Sequence, residues 1–437
     1  MSARETALNV LIGCRKQAAW ANGVLKEYIA RDKLDRRDAA LATRLCYGVL
    51  QNRNKLDFYL QQLLIGKLKD LHPAVRDILH LGIYQIYEMD KIPSSAAVNE
   101  SVAMAKKYCK KQRFAPGLTN AVLRQAARTK GQLKEPETLE ERYSHPKALI
   151  KLLGENVGKD RLENMLAANN AMPQTVVQVN TLKITADDLM EKLAQEDVQA
   201  QPHCWMQDAL VLSGTGNIEK LAAFKEGLFY VQDAAAKLSV QCAQIPKNAN
   251  VLDCCAAPGG KSFAAAMTLQ GQGSITSCDI HQHKIVLIQN GAARLGIANL
   301  KATQCDASSF VQEWKDKMNV VIADVPCSGY GIIRKKPDIR FKDPKTMEDL
   351  PQLQLQILKN QAQYVKPGGT LLYSTCTLLK RENEDVVQAF LQQQDDFYLE
   401  PLALPAVFPV NTDGMLTLVP GEYDTDGFFI CRLRRKV

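Results

Sequence analysis

Residues 251–261, VLDCCAAPGGK, contain the turn that decides the fold of this chain. The apolar start followed by small residues predicts a short buried strand, which Pro258 cannot continue because proline has no backbone N–H. Gly259 and Gly260 allow a tight turn and a close approach of the backbone to a ligand. The run 261–269, KSFAAAMTL, predicts the start of a helix. A strand, turn and helix of this kind are typical of the first βα unit of a doubly wound sheet, where ligands bind at the carboxyl ends of the strands.

The chain after this turn alternates between predicted strands and helices, as a parallel sheet requires. Strands are predicted for the runs GSITSCDI, LKATQCDA, NVVIADVP and GGTLLYSTC, which begin at residues 273, 300, 319 and 368. FYLEPL and FFICRLRRK, near the end of the sequence, are expected to add an antiparallel edge. The predicted fold class of this half is therefore α/β with a Rossmann-like core.

Acidic residues end three of these strands: Asp279, Asp306 and Asp324. A single Asp at a strand end is usually a turn former, but three around one glycine-rich loop favour a ligand site. Asp279 is expected to bind ribose hydroxyls, and Asp306 to meet an adenine edge. Because neither a GxGxxG fingerprint nor a P-loop is present, the pattern favours S-adenosylmethionine over NAD. The loop residues expected to surround this cofactor, together with Asp324, are Cys255, Ala256, Ala257, Pro258, Gly259, Gly260 and Lys261.

Two cysteines lie in turns that should face the same cleft: Cys327 in DVPCSG, and Cys376 in STCT. A single cysteine is most often a small buried apolar residue, but two beside a predicted cofactor site favour a chemical role. The twelve cysteines of the sequence are expected to be thiols rather than a disulfide framework. No Cys/His spacing suggests zinc, so no metal is expected.

The first 150 residues are basic and predicted to be helical, with apolar residues at three- and four-residue spacing. They contain 26 Lys and Arg against 15 Asp and Glu, a net charge of +11, whereas the remainder has a net charge of −3. This asymmetry favours contact with a polyanion; a solvated surface is the alternative. Candidate phosphate-binding residues at one helix end are Lys106, Lys107, Lys110, Lys111 and Arg113.

No stretch of the sequence approaches 18 consecutive apolar residues, and its first residues lack the apolar segment of a cleavable signal. The protein is therefore expected to be cytoplasmic and free of membrane contact. A monomer is the expected oligomeric state.

Three groups of motifs resemble known families. NESVAMAKKY with FAPGLTNAVLR is similar to the NusB antitermination-factor fold, an RNA-binding domain. VNTLK with VQDAAA resembles the RNA-recognition-motif-like insert of RNA cytosine-5 methyltransferases, and CCAAPGGK, DVPCSG and STCT resemble the catalytic domain of that RNA 5-methylcytosine methyltransferase family. The predicted domains are 1–135 (NusB-like, all-α), 136–170 (helical connector), 171–235 (small α+β subdomain) and 236–437 (methyltransferase).

The resemblance implies methylation of carbon 5 of a specific cytosine in 16S ribosomal RNA, either free or early in assembly, with S-adenosylmethionine as the donor. It implies Cys376 as the nucleophile and Cys327 as the cysteine that resolves the covalent adduct. Asp324 would contact the cytosine, and Lys261 would position the base or the sulfonium region. A non-catalytic RNA-binding assembly factor and the same chemistry on transfer RNA are the alternatives.

A basic run, RKKPDIRFK at 334–342, follows the DVPCSG loop. The family shares a similar run, and Arg334, Lys335 and Lys336 are expected to bind backbone phosphates. A solvated loop is the alternative.

Overall fold

The computed structural model describes residues 1–17 and 21–437, which divide into two compact units. The first unit consists of Met1–Ala171 together with Ile333–Lys342, and the second of Met172–Ile332 with Asp343–Val437. The segment Ile333–Lys342 is thus part of the first unit although the residues before and after it belong to the second. None of the described helices is both long and apolar enough to cross a bilayer.

The first unit is helical, as the sequence predicts. Its helices are α1 (Ala3–Gln17), α2 (Ala21–Arg31), α3 (Arg36–Leu63), α4 (Pro73–Glu88), α5 (Ser94–Tyr108), α6 (Ala115–Arg128), α7 (Leu139–Tyr143), α8 (Lys147–Val157) and α9 (Lys159–Ala168), with 3₁₀ turns at Leu68–Asp70 and Pro337–Phe341. Helix α4 is buried along most of its length, and α1, α3, α5 and α6 pack around it. The apolar residues of these helices form one continuous core.

Arg340 lies in the segment Ile333–Lys342 and is only 3% exposed. Its Nη1 donates to the carbonyl oxygens of Gln51 (2.6 Å) and Ser144 (3.2 Å). Its Nη2 donates to Asn169 O (2.9 Å) and Asn170 Oδ1 (2.7 Å). Both terminal nitrogens of this buried guanidinium are thus bonded to acceptors of the helical unit, although its Nε has no hydrogen-bond partner among the described residues. Arg340 therefore has a structural role in the helical unit. Part of the basic run 334–342 is therefore unavailable to RNA phosphates.

The second unit contains a small antiparallel sheet with strand order β2-β3-β1-β4. The elements of this subdomain are β1 (Thr175–Val179), α10 (Ala186–Ala194), β2 (Gln199–Pro202), β3 (Ala209–Ser213), α11 (Ala222–Lys225) and β4 (Phe229–Val231), with a 3₁₀ turn at Ile218–Lys220. Helix α10 places Leu189 and Leu193 against the sheet, where they join Val177 and Phe229 in a separate apolar core. This is the small α+β subdomain that the sequence predicts.

The second unit also contains a larger sheet with strand order β10-β12-β9-β8-β5-β6-β7, and β11 pairs with β12. Its strands are β5 (Asn250–Asp253), β6 (Ser274–Asp279), β7 (Leu300–Gln304), β8 (Met318–Asp324), β9 (Val365–Thr375), β10 (Phe397–Leu399), β11 (Met415–Leu418) and β12 (Phe428–Arg435). The associated helices are α12 (Ala234–Cys242), α13 (Gly260–Leu269), α14 (Gln282–Leu295), α15 (Leu350–Ala362) and α16 (Glu384–Leu391), with 3₁₀ turns at Gln312–Trp314, Pro344–Met347 and Lys380–Glu382.

Strands β5 to β9 are parallel, whereas β10, β11 and β12 pair in the antiparallel sense. The α/β Rossmann-like core with an antiparallel edge, predicted from the sequence, is confirmed. Strand β5 lies between β6 and β8, so the strand order reverses there. Ligands of open α/β sheets bind at the carboxyl ends of the strands beside such a point, which directs attention to the loop after β5.

Candidate active site

The loop after β5 is shaped for a close ligand. Gly259 has φ +112°, and a Cβ there would lie 2.4 Å from the Phe263 ring. A Cβ on Gly260 would lie 2.9 Å from Gln232 Nε2, whose companion atom Gln232 Oε1 is buried and has no hydrogen-bond partner among the described residues. Gly259 is therefore required by its positive φ and by the Phe263 ring, whereas a Cβ at Gly260 would have to displace the end of the Gln232 side chain. The Gln232 Oε1 acceptor lies beside the start of α13. These features fit a loop that holds a polar cofactor against its backbone.

Asp253, at the end of β5, is a fully buried carboxyl that the sequence analysis did not single out. Its Oδ2 accepts a hydrogen bond from Ser262 Oγ at 2.7 Å, and Ser277 Oγ bonds to Ser262 Oγ at 2.7 Å. Burial raises the pKa of Asp253 to about 7, although the Ser262 hydrogen bond opposes the increase. This network joins the loop to β6. Its signal in the sequence is the acid directly before the two cysteines of CCAAPGG.

Asp279 and Asp306 differ in their surroundings. Asp279 ends β6 and is 6% exposed; its Oδ1 accepts the His281 N–H at 3.0 Å, and its Oδ2 lies 3.4 Å from Lys284 Nζ. Asp306 is exposed, two residues after β7, and its Oδ1 accepts from the N–H and the hydroxyl of Ser308. Asp306 thus forms a local turn, and binding of adenosine by these two acids stays a prediction.

Lys261 and Asp324 form a half-buried ion pair. Lys261 Nζ lies 2.7 Å from Asp324 Oδ2, and Ser374 Oγ donates to Asp324 Oδ1 at 2.8 Å. Burial lowers the pKa of Lys261, but the negative charge of Asp324 outweighs it, so this pKa is raised above its ordinary value. The ammonium is therefore retained at neutral pH. This pair joins the glycine-rich loop to the end of β8, as expected if both residues serve one site.

Cys327 and Cys376 meet, as predicted from the strand order: their Sγ atoms are 3.3 Å apart. The two loops are further joined by a 2.8 Å hydrogen bond between the hydroxyls of Ser328 and Thr377, and by Gly331 N–H donating to Cys376 O at 2.9 Å. The sulfur contact with Cys376 and burial raise the pKa of the Cys327 thiol well above its usual range. All twelve cysteines lie in the described part of the chain, and none forms a disulfide there.

Two buried residues that the sequence analysis missed, Glu382 and Asn383, contact both cysteine loops. The signal that could have drawn attention to them is the run RENED, in which a polar pair directly precedes an apolar helix.

The five predicted phosphate-binding residues of the first unit are exposed, at the end of α5 and in the turn after it. Lys107 differs from the others because its Nζ lies 2.5 Å from Glu5 Oε1. In the other predicted group, Arg334 and Lys335 are half-buried and Lys336 is exposed. RNA binding by either group stays a prediction.

An open, mainly parallel sheet with a glycine-rich loop at its switch point and acids at or just after the ends of the next strands fits an S-adenosylmethionine-dependent methyltransferase core. Family models agree: that of the 16S rRNA methyltransferase RsmB/F family matches residues 241–434, that of the NusB family 1–128, and that of the RsmF/B-like ferredoxin-like domain 145–219. Together with a relative that is 35% identical over 100% of this chain, these models show that the chain belongs to the RsmB/F family of rRNA methyltransferases, and the recognition of its family from the sequence is confirmed.

Relatives align along the whole chain. The probable ribosomal RNA small subunit methyltransferase B of Bacillus subtilis is 35% identical over 100% of this chain and 99% of its own length. The ribosomal RNA small subunit methyltransferase B of Klebsiella pneumoniae is 31% identical over 93% of this chain and 92% of its own length.

Solved structures show the same fold. The crystal structure of PH0851 superposes with a TM-score of 0.82 and 23% identity over 99% of this chain and 98% of its own. NSun6 from Pyrococcus horikoshii, solved with SFG, has a TM-score of 0.58 and 21% identity over 66% of this chain and 98% of its own. Membership of the RsmB/F methyltransferase family, rather than these fold matches, identifies the cofactor as S-adenosylmethionine, as the sequence predicts.

Proposed function

We propose that this protein methylates carbon 5 of a cytosine in 16S ribosomal RNA through a covalent cysteine–cytosine adduct. The observation that supports this best is the 3.3 Å separation of Cys327 Sγ and Cys376 Sγ, on loops that follow neighbouring strands β8 and β9. The names of the relatives, which are small-subunit ribosomal RNA methyltransferases, favour 16S RNA as the substrate.

Two thiols suit this reaction because carbon 5 of a pyrimidine is a weak nucleophile. Addition of the Cys376 thiolate to carbon 6 makes carbon 5 electron-rich, so that it can accept a methyl cation equivalent. A base then takes the proton from carbon 5, the electron pair of that carbon–hydrogen bond forms the 5,6 double bond, and the electron pair of the carbon 6–sulfur bond returns to Cys376. We assign this release step to Cys327, because its sulfur lies beside Cys376.

Asp324 and Lys261 would stabilise the base during addition. Negative charge that develops on the ring when sulfur adds to carbon 6 needs a nearby proton donor or cation. Lys261 keeps its ammonium through its pairing with Asp324, and Asp324 is itself oriented by Ser374. Asp324 would contact the cytosine, and Lys261 would hold the base or the sulfonium region in place.

S-adenosylmethionine, when bound, supplies the electrophilic methyl group. We assign its binding to the loop Cys255–Lys261 and to Asp279, Asp306 and Asp324. Gly259 and Gly260 have no side chain of their own, which favours direct contact between the loop backbone and the cofactor. The target base must be unpaired or flipped out of a helix to reach the half-buried thiols, so an RNA loop or bulge is the expected target.

The test is methylation of 16S RNA that lacks this modification, both as free RNA and in small-subunit particles, with transfer RNA in parallel. Digestion to nucleosides and mass spectrometry should show 5-methylcytidine in 16S RNA for the wild type and none for Cys376→Ala. A product in transfer RNA alone would contradict the substrate. If neither 5-methylcytidine nor an adduct forms on any RNA, a non-catalytic assembly factor replaces the proposal.

A further inference from the structure

Two consecutive residues, Glu382 and Asn383, connect to both cysteine loops. Glu382 ends the 3₁₀ turn Lys380–Glu382, and Asn383 directly precedes α16. Both residues are completely buried. Burying a carboxyl or an amide raises the free energy of the folded state unless the group is hydrogen-bonded. The hydrogen-bond partners of these two side chains therefore indicate their role.

The Glu382 side chain holds the loop of Cys327. Its Oε2 accepts the Ser328 N–H at 2.9 Å and Gln354 Nε2 at 3.0 Å. The same Gln354 nitrogen donates to Pro326 O at 2.9 Å. The peptide groups on both sides of Cys327 are thus held by one carboxyl and one amide.

The Asn383 side chain holds the loop of Cys376 in an equivalent way. Its Oδ1 accepts from Thr375 Oγ1 at 2.6 Å, and its Nδ2 donates to Thr377 O at 3.1 Å. These contacts fix the residues directly before and after Cys376. Because Glu382 and Asn383 are adjacent in the chain, any movement of one cysteine loop relative to the other would strain the same short segment.

The negative charge of Glu382 also acts on the nearer sulfur. The sulfur of Cys376 and burial are the main causes of the raised pKa of Cys327, and the charge of Glu382 contributes in the same direction. Oε1 of Glu382 is buried and has no hydrogen-bond partner among the described residues. Packing alone would favour an apolar residue here, since a carboxyl leaves one oxygen unsatisfied.

We propose that Glu382 and Asn383 are positioning residues with separate roles: Glu382 orients Cys327 for release of the RNA adduct, and Asn383 orients Cys376 for its formation. The inference rests on the proposed function, because it needs an adduct that forms in one step and is released in another. Neither residue touches the reacting atoms in this account; each acts through the loop that it holds.

The experiment measures, in a single turnover with S-adenosylmethionine and 16S RNA, the ratio of denaturation-resistant adduct to released methylated RNA. Glu382→Met removes the acceptor at similar volume and should raise this ratio on the order of 10-fold or more, as Cys327→Ala does, because small misplacements of reacting groups have large effects on rate. Asn383→Leu should slow adduct formation by a similar factor without raising the ratio. This is a weaker form of the effect expected of Cys376→Ala, which should abolish adduct formation.

Conservative and control variants separate positioning from folding. Glu382→Gln keeps an acceptor oxygen and should restore most of the normal ratio, and Glu384→Gln changes a neighbouring carboxyl whose side chain bonds to Thr417 and should leave the ratio unchanged. Thermal unfolding shows whether Glu382→Met and Asn383→Leu fold. If one of them does not, Gln354→Met removes a hydrogen-bond partner of Glu382 and Thr375→Val removes a partner of Asn383. The ratio of adduct to released RNA in these variants then decides in the same way.

Equal losses of methylation in the Glu382 and Asn383 variants, at the wild-type ratio, would overturn the inference while leaving the proposed function intact. If Cys327→Ala and Cys376→Ala themselves fail to separate adduct release from adduct formation, the proposed function falls and the inference falls with it.

Discussion

Cys327 Sγ and Cys376 Sγ lie 3.3 Å apart although the two residues are 49 positions apart in the sequence. The parallel pairing of β8 and β9 produces this contact, since each cysteine follows the carboxyl end of one of these strands. Their proximity has a consequence for oxidation as well as for catalysis, because a disulfide needs the sulfurs to approach to only about 2 Å.

Mild oxidation should therefore inactivate the enzyme reversibly. Hydrogen peroxide oxidises the two thiols to one disulfide, and both protons leave in two molecules of water. We expect methylation to be lost with peroxide and regained with dithiothreitol, and peptide mapping to find a Cys327–Cys376 bridge. Cys254 and Cys255, whose Sγ atoms are 3.8 Å apart, are the internal comparison. A bridge confined to that second pair would contradict the prediction.

The ion pair between Lys261 and Asp324 should matter for rate as a unit. We expect Lys261→Met and Asp324→Asn each to lower the methylation rate by about 10²- to 10³-fold, because the first removes the cation that would stabilise negative charge on the base, and the second removes the carboxylate that holds this ammonium in place. The fold-loss of rate in the double variant should be much smaller than the product of the fold-losses in the two single variants, since the residues contact each other.

Single-turnover rates at saturating cofactor and RNA measure this effect. Lys359→Met, which alters a partly exposed lysine that bonds to Gln393, is the control. Multiplicative effects of the two substitutions would show that the two side chains act separately.

Asp253 should make stability depend on pH. Burial raises the pKa of its carboxyl to about 7 in the folded chain from an ordinary 3.8, so the folded state holds this proton more tightly than the unfolded state. Its contribution to stability is complete below about pH 4 and is lost as pH rises through about 7. The full change is about 4 kcal/mol, from 1.36 kcal/mol per pKa unit.

Melting temperatures of the wild type and Asp253→Asn at pH 5.5 and 8 check this effect. The wild type should lose stability relative to the variant between these two pH values. A difference that is independent of pH would show that the Asp253 carboxyl does not titrate in this range.

The basic residues at the end of α5 should contribute to the salt dependence of RNA binding. Replacing Lys106, Lys110, Lys111 and Arg113 by Ser should reduce the slope of log K against log salt by about 3, because each phosphate contact contributes about 0.7 to 0.9. Lys107→Ser should change it less, since Lys107 already pairs with Glu5. An unchanged slope in filter binding to 16S RNA would place the RNA contacts elsewhere.

The sequence predicts the sheet well because its strands have strong local patterns. The run NVVIADVP, for example, becomes β8 with ends that differ by one or two residues. The contact between the two cysteines was also predictable, since parallel strands direct the loops at their carboxyl ends to one edge. These features depend on short stretches of chain and on general rules of α/β topology.

The features that could not be predicted from the sequence depend on partners that are distant along the chain. Arg340 looks like a phosphate-binding residue in a basic run, but its partners are the Asn170 side chain and main-chain carbonyls at residues 51, 144 and 169, which no local pattern reveals. The same holds for Glu382, which bonds to Ser328. Hydrogen bonds to backbone groups need little from the partner's side chain, so they leave little trace in its sequence.

Covalent trapping tests the central claim most directly. Wild type, Cys327→Ala and Cys376→Ala are incubated with S-adenosylmethionine and unmodified 16S RNA, denatured, and digested for mass spectrometry of the protein–nucleotide conjugate. The account predicts that the adduct accumulates in Cys327→Ala, is attached to Cys376 through a methylated cytosine, and is absent from Cys376→Ala. Methylation that persists in Cys376→Ala, or an adduct attached to Cys327 in the wild type, would contradict it.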